Sequence, residues 1–75
     1  MDVEAIREKL TKGLGAQRVE LESDGNRLSV RIWSPEFEGL SRVKRQQKVY
    51  ALLDDRIKSG EIHAVTMITL TPEEN

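Results

Sequence analysis

The sequence predicts an α+β domain in which two helices cover one face of a three-stranded mixed sheet. Three observations lead to this fold class. Apolar residues recur at helical spacing near the start of the chain and again in its second half. Between them, two short runs alternate apolar with polar residues, as strands with one buried face do. A last run rich in Ile, Val and Thr follows the second helix.

The predicted first helix begins at Asp2, whose carboxylate can cap the N-terminal turn. An apolar stripe at helical spacing defines the face that packs on the sheet. The stripe consists of Val3, Ile6, Leu10 and Leu14. Gly13 and Gly15 are expected to end the helix.

The next two runs are predicted to form an antiparallel hairpin. Residues 18–22 and 27–32 alternate apolar with polar residues, and the Ser-Asp-Gly-Asn tetrad at 23–26 is a strong turn signal. The residues expected on the buried face of the hairpin are Val19, Leu21, Leu28, Val30 and Ile32.

A short helical turn and a longer helix follow the hairpin. The Ser-Pro pair at 34–35 predicts a capped turn that carries Phe37 and ends at Gly39. The longer helix is expected to start near Ser41 and to end at residues 59–60. Its packed face is predicted to contain Val43, Gln46 or Gln47, Tyr50, Leu53 and Ile57, widened by Val49 and Leu52.

Residues 61–71 are predicted to form the last strand. Because a strand, a helix and a strand follow one another, a right-handed crossover should make the last two strands parallel. Both sides of the last strand are substantially apolar, which leaves two interpretations: a central or well-covered strand, or an exposed binding strip. The open face of the sheet is a candidate interaction surface.

Length and composition limit the possible classes of protein. The 75 residues have room for one domain, assigned to residues 1–75 with 72–75 as a loose tail. Twelve basic and 13 acidic residues give a formal net charge of -1, which argues mildly against a protein that coats DNA. There is no cysteine, no signal sequence and no apolar run long enough to span a bilayer, so we expect a soluble, cytoplasmic protein.

The sequence contains none of the familiar enzyme motifs, and we predict that the protein is not an enzyme. His63 is its only histidine. Imidazole can bind a transition metal as a neutral donor, but one histidine makes neither a catalytic triad nor a complete metal site. Composition alone therefore favours an ordinary strand residue, bonded to a neighbouring carbonyl or carboxylate.

Four cations lie in the first two turns of the longer helix, where they oppose the helix dipole. They are Arg42, Lys44, Arg45 and Lys48. One interpretation is that they serve a partner such as a phosphate, the carboxylates of glutathione or an acidic protein surface. The other is a solvated helix face paired with Glu36, Glu38 or the acidic tail. Just before this run, Phe37 is expected to fold into the core rather than to cradle an anion with its loop.

Several spaced motifs together resemble the BolA-like family, and residues 41–47 are most similar to its IbaG/YrbA branch. The resemblance covers nearly the whole chain. The motifs are Phe37-x-Gly39-x-Ser41-Arg42, Gln46-Gln47-x-Val49-Tyr50, Gly60-Glu61-Ile62-His63-Ala64-Val65 and Thr71-Pro72-Glu73-Glu74.

The resemblance implies a fold similar to class II KH domains and a non-enzymatic role beside a monothiol glutaredoxin in iron–sulfur cluster trafficking or stress regulation. It also implies that His63 is a ligand of a [2Fe-2S] cluster shared with that partner. The partner and its glutathione would supply thiolates, which suits a chain without cysteine. The residues expected to dock the partner or glutathione are Phe37, Gly39, Ser41, Arg42, Lys44 and Arg45.

Two differences from the family pattern leave the remaining cluster ligand open. Gln46 stands where many members have a histidine, and the loop between the first two strands, residues 24–26, has neither histidine nor cysteine. Asp24, a solvent species and a partner residue are the alternatives.

The family also includes proteins described as transcriptional regulators. The alternative hypothesis is therefore a nucleic-acid-binding regulator that uses Arg42, Lys44, Arg45 and Lys48, although the chain lacks a full G-x-x-G loop. A homodimer formed through the exposed sheet or loop is a third possibility.

Overall fold

The computed structural model describes residues 1–74 and has the predicted order of elements. The elements are helix α1 (Val3–Leu14), strands β1 (Arg18–Asp24) and β2 (Arg27–Trp33), a short 3₁₀ helix (Pro35–Phe37), helix α2 (Arg42–Lys58) and strand β3 (Ala64–Leu70). Strand β2 is central, antiparallel to β1 and parallel to β3. The predicted α+β class and mixed sheet are confirmed. Strand β3 is an edge strand, so the interpretation as a central strand is wrong.

The core lies between the two helices and one face of the sheet. Period-two alternation in β2 sends three apolar side chains inward and leaves their neighbours exposed on the open face. The buried residues are Ile6, Leu10, Leu14, Val19, Leu28, Val30, Ile32, Phe37, Val49, Leu53 and Ile62. The positive φ of Gly25, 61°, allows the tight β1–β2 turn.

Helix α1 begins as predicted, with the Asp2 carboxylate accepting a hydrogen bond from the Ala5 N–H at 3.1 Å. It ends at Gly15, whose φ of 55° is left-handed. The prediction that Gly13 also ends the helix is wrong. Gly13 lies inside α1, and a Cβ atom there would lie 2.7 Å from Cδ1 of Leu52. Its role is to let the two helices approach closely.

Helix α2 has the predicted cap, with the Ser41 hydroxyl accepting from the Lys44 N–H at 3.3 Å. The predicted packed face is wrong in part. Val49 and Leu53 are buried, whereas Val43 and Tyr50 are 60% and 43% exposed. Apolar residues surround more than half of the helix, but the sheet and α1 can cover only one side of it.

The segment between α2 and β3 is irregular, so the last strand starts at Ala64 rather than at Glu61. Gly60 has a φ of 83°, and the Ile62 N–H donates to the carbonyl of Arg56 at 3.1 Å. This bend buries Ile62, although Ala64 and the residues that follow it at alternate positions face the open side. The break in alternation is the reason why the strand boundary was predicted too early.

Ser34 joins four elements at one end of the sheet. Its backbone N–H donates to the Leu70 carbonyl of β3 at 2.9 Å, and its hydroxyl donates to the Leu14 carbonyl at the end of α1. The same hydroxyl accepts from the Glu36 N–H at 3.0 Å and caps the 3₁₀ helix. Ser34 is fully buried. Its bonds to Leu70 and Leu14 therefore connect elements that are remote in sequence.

We expect Ser34→Ala to lower the free energy of unfolding by about 1–3 kcal/mol, because it leaves the buried Leu14 carbonyl without its donor. Urea denaturation followed by far-UV circular dichroism would measure the loss. The exposed Ser29→Ala is the matched control and should change stability by no more than about 0.5 kcal/mol. Equal effects of the two substitutions would contradict the role assigned to the Ser34 hydroxyl.

Candidate metal-ligand site and basic surface

His63 lies between the end of α2 and the start of β3, and its side chain is exposed. Its backbone N–H donates to the carbonyl of Asn26 in the β1–β2 turn at 2.8 Å. The interpretation as an ordinary strand residue is wrong, because β3 begins only at Ala64. The imidazole is carried by a segment that is held against the hairpin turn.

Gly60 leaves room beside the imidazole. A Cβ atom at this position would lie 3.5 Å from Nε2 of His63, in ordinary van der Waals contact, and the φ of 83° disfavours any other residue. The sequence indicated Gly60 and Asn26 only as turn residues. Their turn signals were visible, but only the folded chain shows that both lie beside His63.

The chain offers one imidazole and not a complete metal site. Among residues 1–74, no three His, Cys, Asp or Glu side chains come together in a way that could hold a metal ion. Asp24, one of the alternatives for a further ligand, pairs with Arg27 of β2, which in turn pairs with Ala64. Its backbone is therefore two strand spacings, roughly 9–10 Å, from the residue that follows His63. Within the described residues, His63 can therefore contribute a single imidazole ligand and no more.

The predicted docking residues lie at the opposite end of the molecule from His63. Arg45 donates to the carbonyl of Thr69 at 3.1 Å, near the end of β3, whereas His63 precedes its start. A strand of seven residues separates the two regions by about 20 Å. One glutathione molecule therefore cannot contact Arg42 or Arg45 and also ligate a metal at His63.

The individual docking residues also differ in accessibility. Phe37 is fully buried, which confirms the core interpretation and removes its ring from any docking surface. Gly39 has a φ of 74° with open space around it, so its backbone is accessible. Ser41 caps α2. This loop can dock a partner through Gly39 and Ser41 but not through the aromatic ring.

The basic start of α2 is only partly available to a partner. The Arg45 guanidinium is fixed by the Leu40 and Thr69 carbonyls and by the Glu74 carboxylate, at 2.9–3.1 Å. Lys48 lies 3.7 Å from the carboxylate of Glu36. Two of the four cations thus follow the interpretation as a paired helix face. Arg42 and Lys44 are exposed, and neither has an ion-pair partner within residues 1–74.

In the tail predicted to be loose, Glu74 is held by hydrogen bonds, and residue 75 lies outside the described residues. Glu74 accepts from the Thr71 N–H at 2.8 Å and from Arg45 at 2.9 Å. These bonds, with the Thr71 backbone contributing most, lower the pKa of the Glu74 carboxyl below its ordinary value of 4.5. The tail is therefore anchored to α2 at neutral pH.

The fold agrees with comparisons to known proteins. Residues 5–74 match the family model described as BolA-like protein, and the chain belongs to this family. The chain is 38% identical to acid stress protein IbaG of Escherichia coli (strain K12), over 99% of this chain and 88% of that protein.

Two solved structures from Arabidopsis thaliana have the same fold. BolA1 superimposes with a TM-score of 0.87 and 34% identity, covering 96% of this chain and 93% of that one. The BolA domain of SufE1 has a TM-score of 0.85 and 38% identity, covering 92% and 89% respectively. Within the described residues, neither helix has the length and apolarity that a membrane span requires.

We expect the contribution of Glu74 to stability to depend on pH. Because its pKa is lower in the folded chain than in the unfolded one, the carboxylate stabilises the fold above pH 4.5. That stabilisation is lost as the pH falls through the lowered pKa. Glu74→Gln should therefore be less stable than wild type at pH 7 and equal to it in strong acid, as measured by urea denaturation at several pH values.

The exposed Glu73→Gln is the matched control and should follow wild type at every pH. A constant difference between Glu74→Gln and wild type across the acid range would show that the Glu74 charge is not the cause.

Proposed function

We propose that this protein is a non-enzymatic partner of a monothiol glutaredoxin, with which it shares a glutathione-ligated [2Fe-2S] cluster through His63. The observation that carries the proposal is the placement of the only imidazole of the chain. It is exposed, and its backbone is fixed to the β1–β2 turn at Asn26, so a partner can reach it without unfolding the core.

The chemistry of the donor set supports a shared cluster as cargo. A chain with one accessible imidazole and no cysteine supplies one neutral ligand, and thiolates must come from the partner and its glutathione. Replacing a thiolate by imidazole makes a cluster less negative and raises its reduction potential. We propose that the two proteins meet in the cytoplasm, which is a reducing compartment.

We propose further that Arg27 helps to dock glutathione beside His63. Arg27 pairs in register with Ala64, the residue after His63, and it is exposed. It has no ion-pair partner within residues 1–74. A guanidinium at this position suits a carboxylate of glutathione, whereas Arg42 is at the far end of β3.

Mixing the protein with a cluster-loaded monothiol glutaredoxin should change the visible absorption and circular dichroism of the cluster. We expect His63→Ala to abolish the change without loss of thermal stability, because the imidazole is exposed. Arg27→Ala should weaken complex formation more than Arg42→Ala does.

The exposed Thr66→Ala controls for substitution near the site and should behave as wild type. An unchanged spectrum with His63→Ala would exclude His63 as the ligand. Equal effects of Arg27→Ala and Arg42→Ala would contradict the docking of glutathione at Arg27, but not the role of His63 as the ligand.

A second candidate function is nucleic-acid binding through the start of α2. It is favoured by the exposed Arg42 and Lys44, which lie apart from His63 and have no ion-pair partner within residues 1–74. Arg45 is largely occupied by its own chain, so this surface is smaller than the sequence predicted.

If this surface binds nucleic acid, Arg42→Ala and Lys44→Ala should each lower the slope of log affinity against log salt by about one. Lys12→Ala, on α1, should leave the slope unchanged because Lys12 is paired with Glu8 at 2.7 Å. Fluorescence anisotropy with a labelled duplex at several salt concentrations measures the slope. The hypothesis fails if no binding is detected at low salt.

A further inference from the structure

The β1–β2 turn contains the only Asp-Gly pair of the chain, Asp24 and Gly25. Two residues, Gly25 and Asn26, connect the strands, and Gly25 has a φ of 61°. A glycine with positive φ at the first of two turn positions is typical of a type II′ hairpin turn. The aspartate that precedes this glycine adds a reactive group that the turn itself does not require.

The groups that can react lie in open solvent. Asp24 and Gly25 are exposed, and a Cβ atom at position 25 would meet no atom outside residues 24–26 within 4 Å. The ion pairs of β1 join Glu20 to two arginines, and within residues 1–74 the Asp24 carboxylate takes part in none. The Gly25 N–H donates none of the turn and loop hydrogen bonds of these residues. The Asp24 side chain and the Gly25 nitrogen are therefore free to react with each other.

We propose that Asp24 is a modification site, at which the chain converts slowly to isoaspartate. In the first step the Gly25 amide nitrogen attacks Cγ of the Asp24 carboxyl group in its acid form. The N–Cγ bond forms and the Cγ–OH bond breaks, and the hydroxyl leaves as water with the proton of the amide. The product is a cyclic succinimide. Glycine obstructs this attack least, because it has no Cβ atom.

The second step adds water to the ring. Addition at the main-chain carbonyl carbon of Asp24 breaks the bond from that carbon to the Gly25 nitrogen. The chain then continues through Cβ and Cγ, which is isoaspartate, and the former main-chain carbonyl becomes a free carboxylate. Addition at Cγ breaks the N–Cγ bond instead and restores aspartate. Water is the only reagent, so the modification needs no partner.

The hairpin limits the rate of ring closure. Asp24 pairs with Arg27 at the end of the β1–β2 ladder, which holds the Asp24 main chain in the extended conformation of the strand. Ring closure needs a different rotation about the Cα–C bond of Asp24, so the tip of the hairpin must first open. The end of a ladder opens at a lower free energy than the whole domain unfolds. The site therefore reacts in the folded chain, but more slowly than in an unfolded one.

Isoaspartate at this position would remove a support of His63. The main chain through position 24 gains one methylene group, whereas the length of a two-residue turn fixes the pairing of its strands. The Asn26 carbonyl, which accepts from the His63 N–H at 2.8 Å, lies two residues from the modified position. We expect the longer connection to displace that carbonyl and to release the His63 amide.

The release should be confined to the start of β3. The Ile62 N–H remains bonded to the Arg56 carbonyl at 3.1 Å, and the Ser34 N–H remains bonded to the Leu70 carbonyl at 2.9 Å. Neither bond involves the turn, so the rest of the sheet should stay in place. The modification goes beyond the proposed function and does not rest on it.

Incubation of the folded full chain, at a constant temperature and for increasing times, tests the proposal. Isoaspartate should accumulate at Asp24, as measured by methyl transfer from S-adenosylmethionine with an isoaspartyl methyltransferase and located by peptide mapping. A species lighter by one water should precede it in the mass spectrum. The chain incubated in urea is the positive control and should react at least about tenfold faster, because no hairpin restrains Asp24.

A matched pair of variants separates the turn from the rest of the chain. Asp24→Glu keeps the charge but lengthens the side chain, so a succinimide cannot form and isoaspartate at this position should be lost. Asp54→Glu makes the same change at an exposed position of α2 and should leave the accumulation at Asp24 unchanged. Circular dichroism checks that both variants are folded.

Amide hydrogen exchange measures the effect on His63. After the isoaspartate form is separated by ion-exchange chromatography, its His63 amide should exchange at least about tenfold faster than that of the unmodified chain. The Ser34 amide, at the other end of the β2–β3 ladder, is the internal control and should exchange at an unchanged rate.

A folded chain that forms no isoaspartate at Asp24 would overturn the proposal, and so would equal accumulation in wild type and Asp24→Glu. Isoaspartate at Asp24 with an unchanged His63 amide would overturn the effect assigned to it.

Discussion

The parallel pairing of β2 with β3 is held at both ends by hydrogen bonds from outside the ladder. At one end the Ser34 N–H bonds to the Leu70 carbonyl, and at the other the His63 N–H bonds to the Asn26 carbonyl. The ladder between them pairs Arg27 with Ala64 through to Trp33 with Leu70. Parallel strands have no tight turn to set their register, so these terminal bonds and the buried side chains do so. The position of His63 beside the hairpin turn follows directly from this register.

The same topology separates the two surfaces that the sequence suggested as one. A crossover helix runs back along the strands, and its N-terminus therefore lies at the carboxyl end of the following strand. The basic start of α2 thus meets the end of β3 through Arg45, while His63 lies at the beginning of that strand. A cluster-sharing partner at His63 and a ligand of Arg42 would occupy different ends of the molecule. Arg27, which pairs with Ala64, is the exposed cation at the His63 end.

The small size of the chain explains why apolar surface remains on α2 and β3. Two helices and three strands can cover one face of a sheet, but they leave the other face and both edges open. The edge strand β1 is charged and the edge strand β3 is not. Val43 and Tyr50 remain exposed on α2, because the sheet and α1 cover only part of that helix.

Local patterns in the sequence determined the elements, because periodicity, caps and turn residues act over a few neighbouring positions. Asp2, Ser34 and Ser41 cap as predicted, the alternation in β2 sets its buried face, and Phe37 is in the core. The sequence also singled out His63, and the family match agrees with the resemblance. Tertiary structure alone decided the rest. It determined which of two apolar stripes on α2 is buried, since only one can pack against the sheet and α1. It also turned Gly13 from a helix end into a point of close contact and delayed β3 to Ala64 through the bend at Gly60. Distances between residues remote in sequence depend on packing, which no local pattern contains.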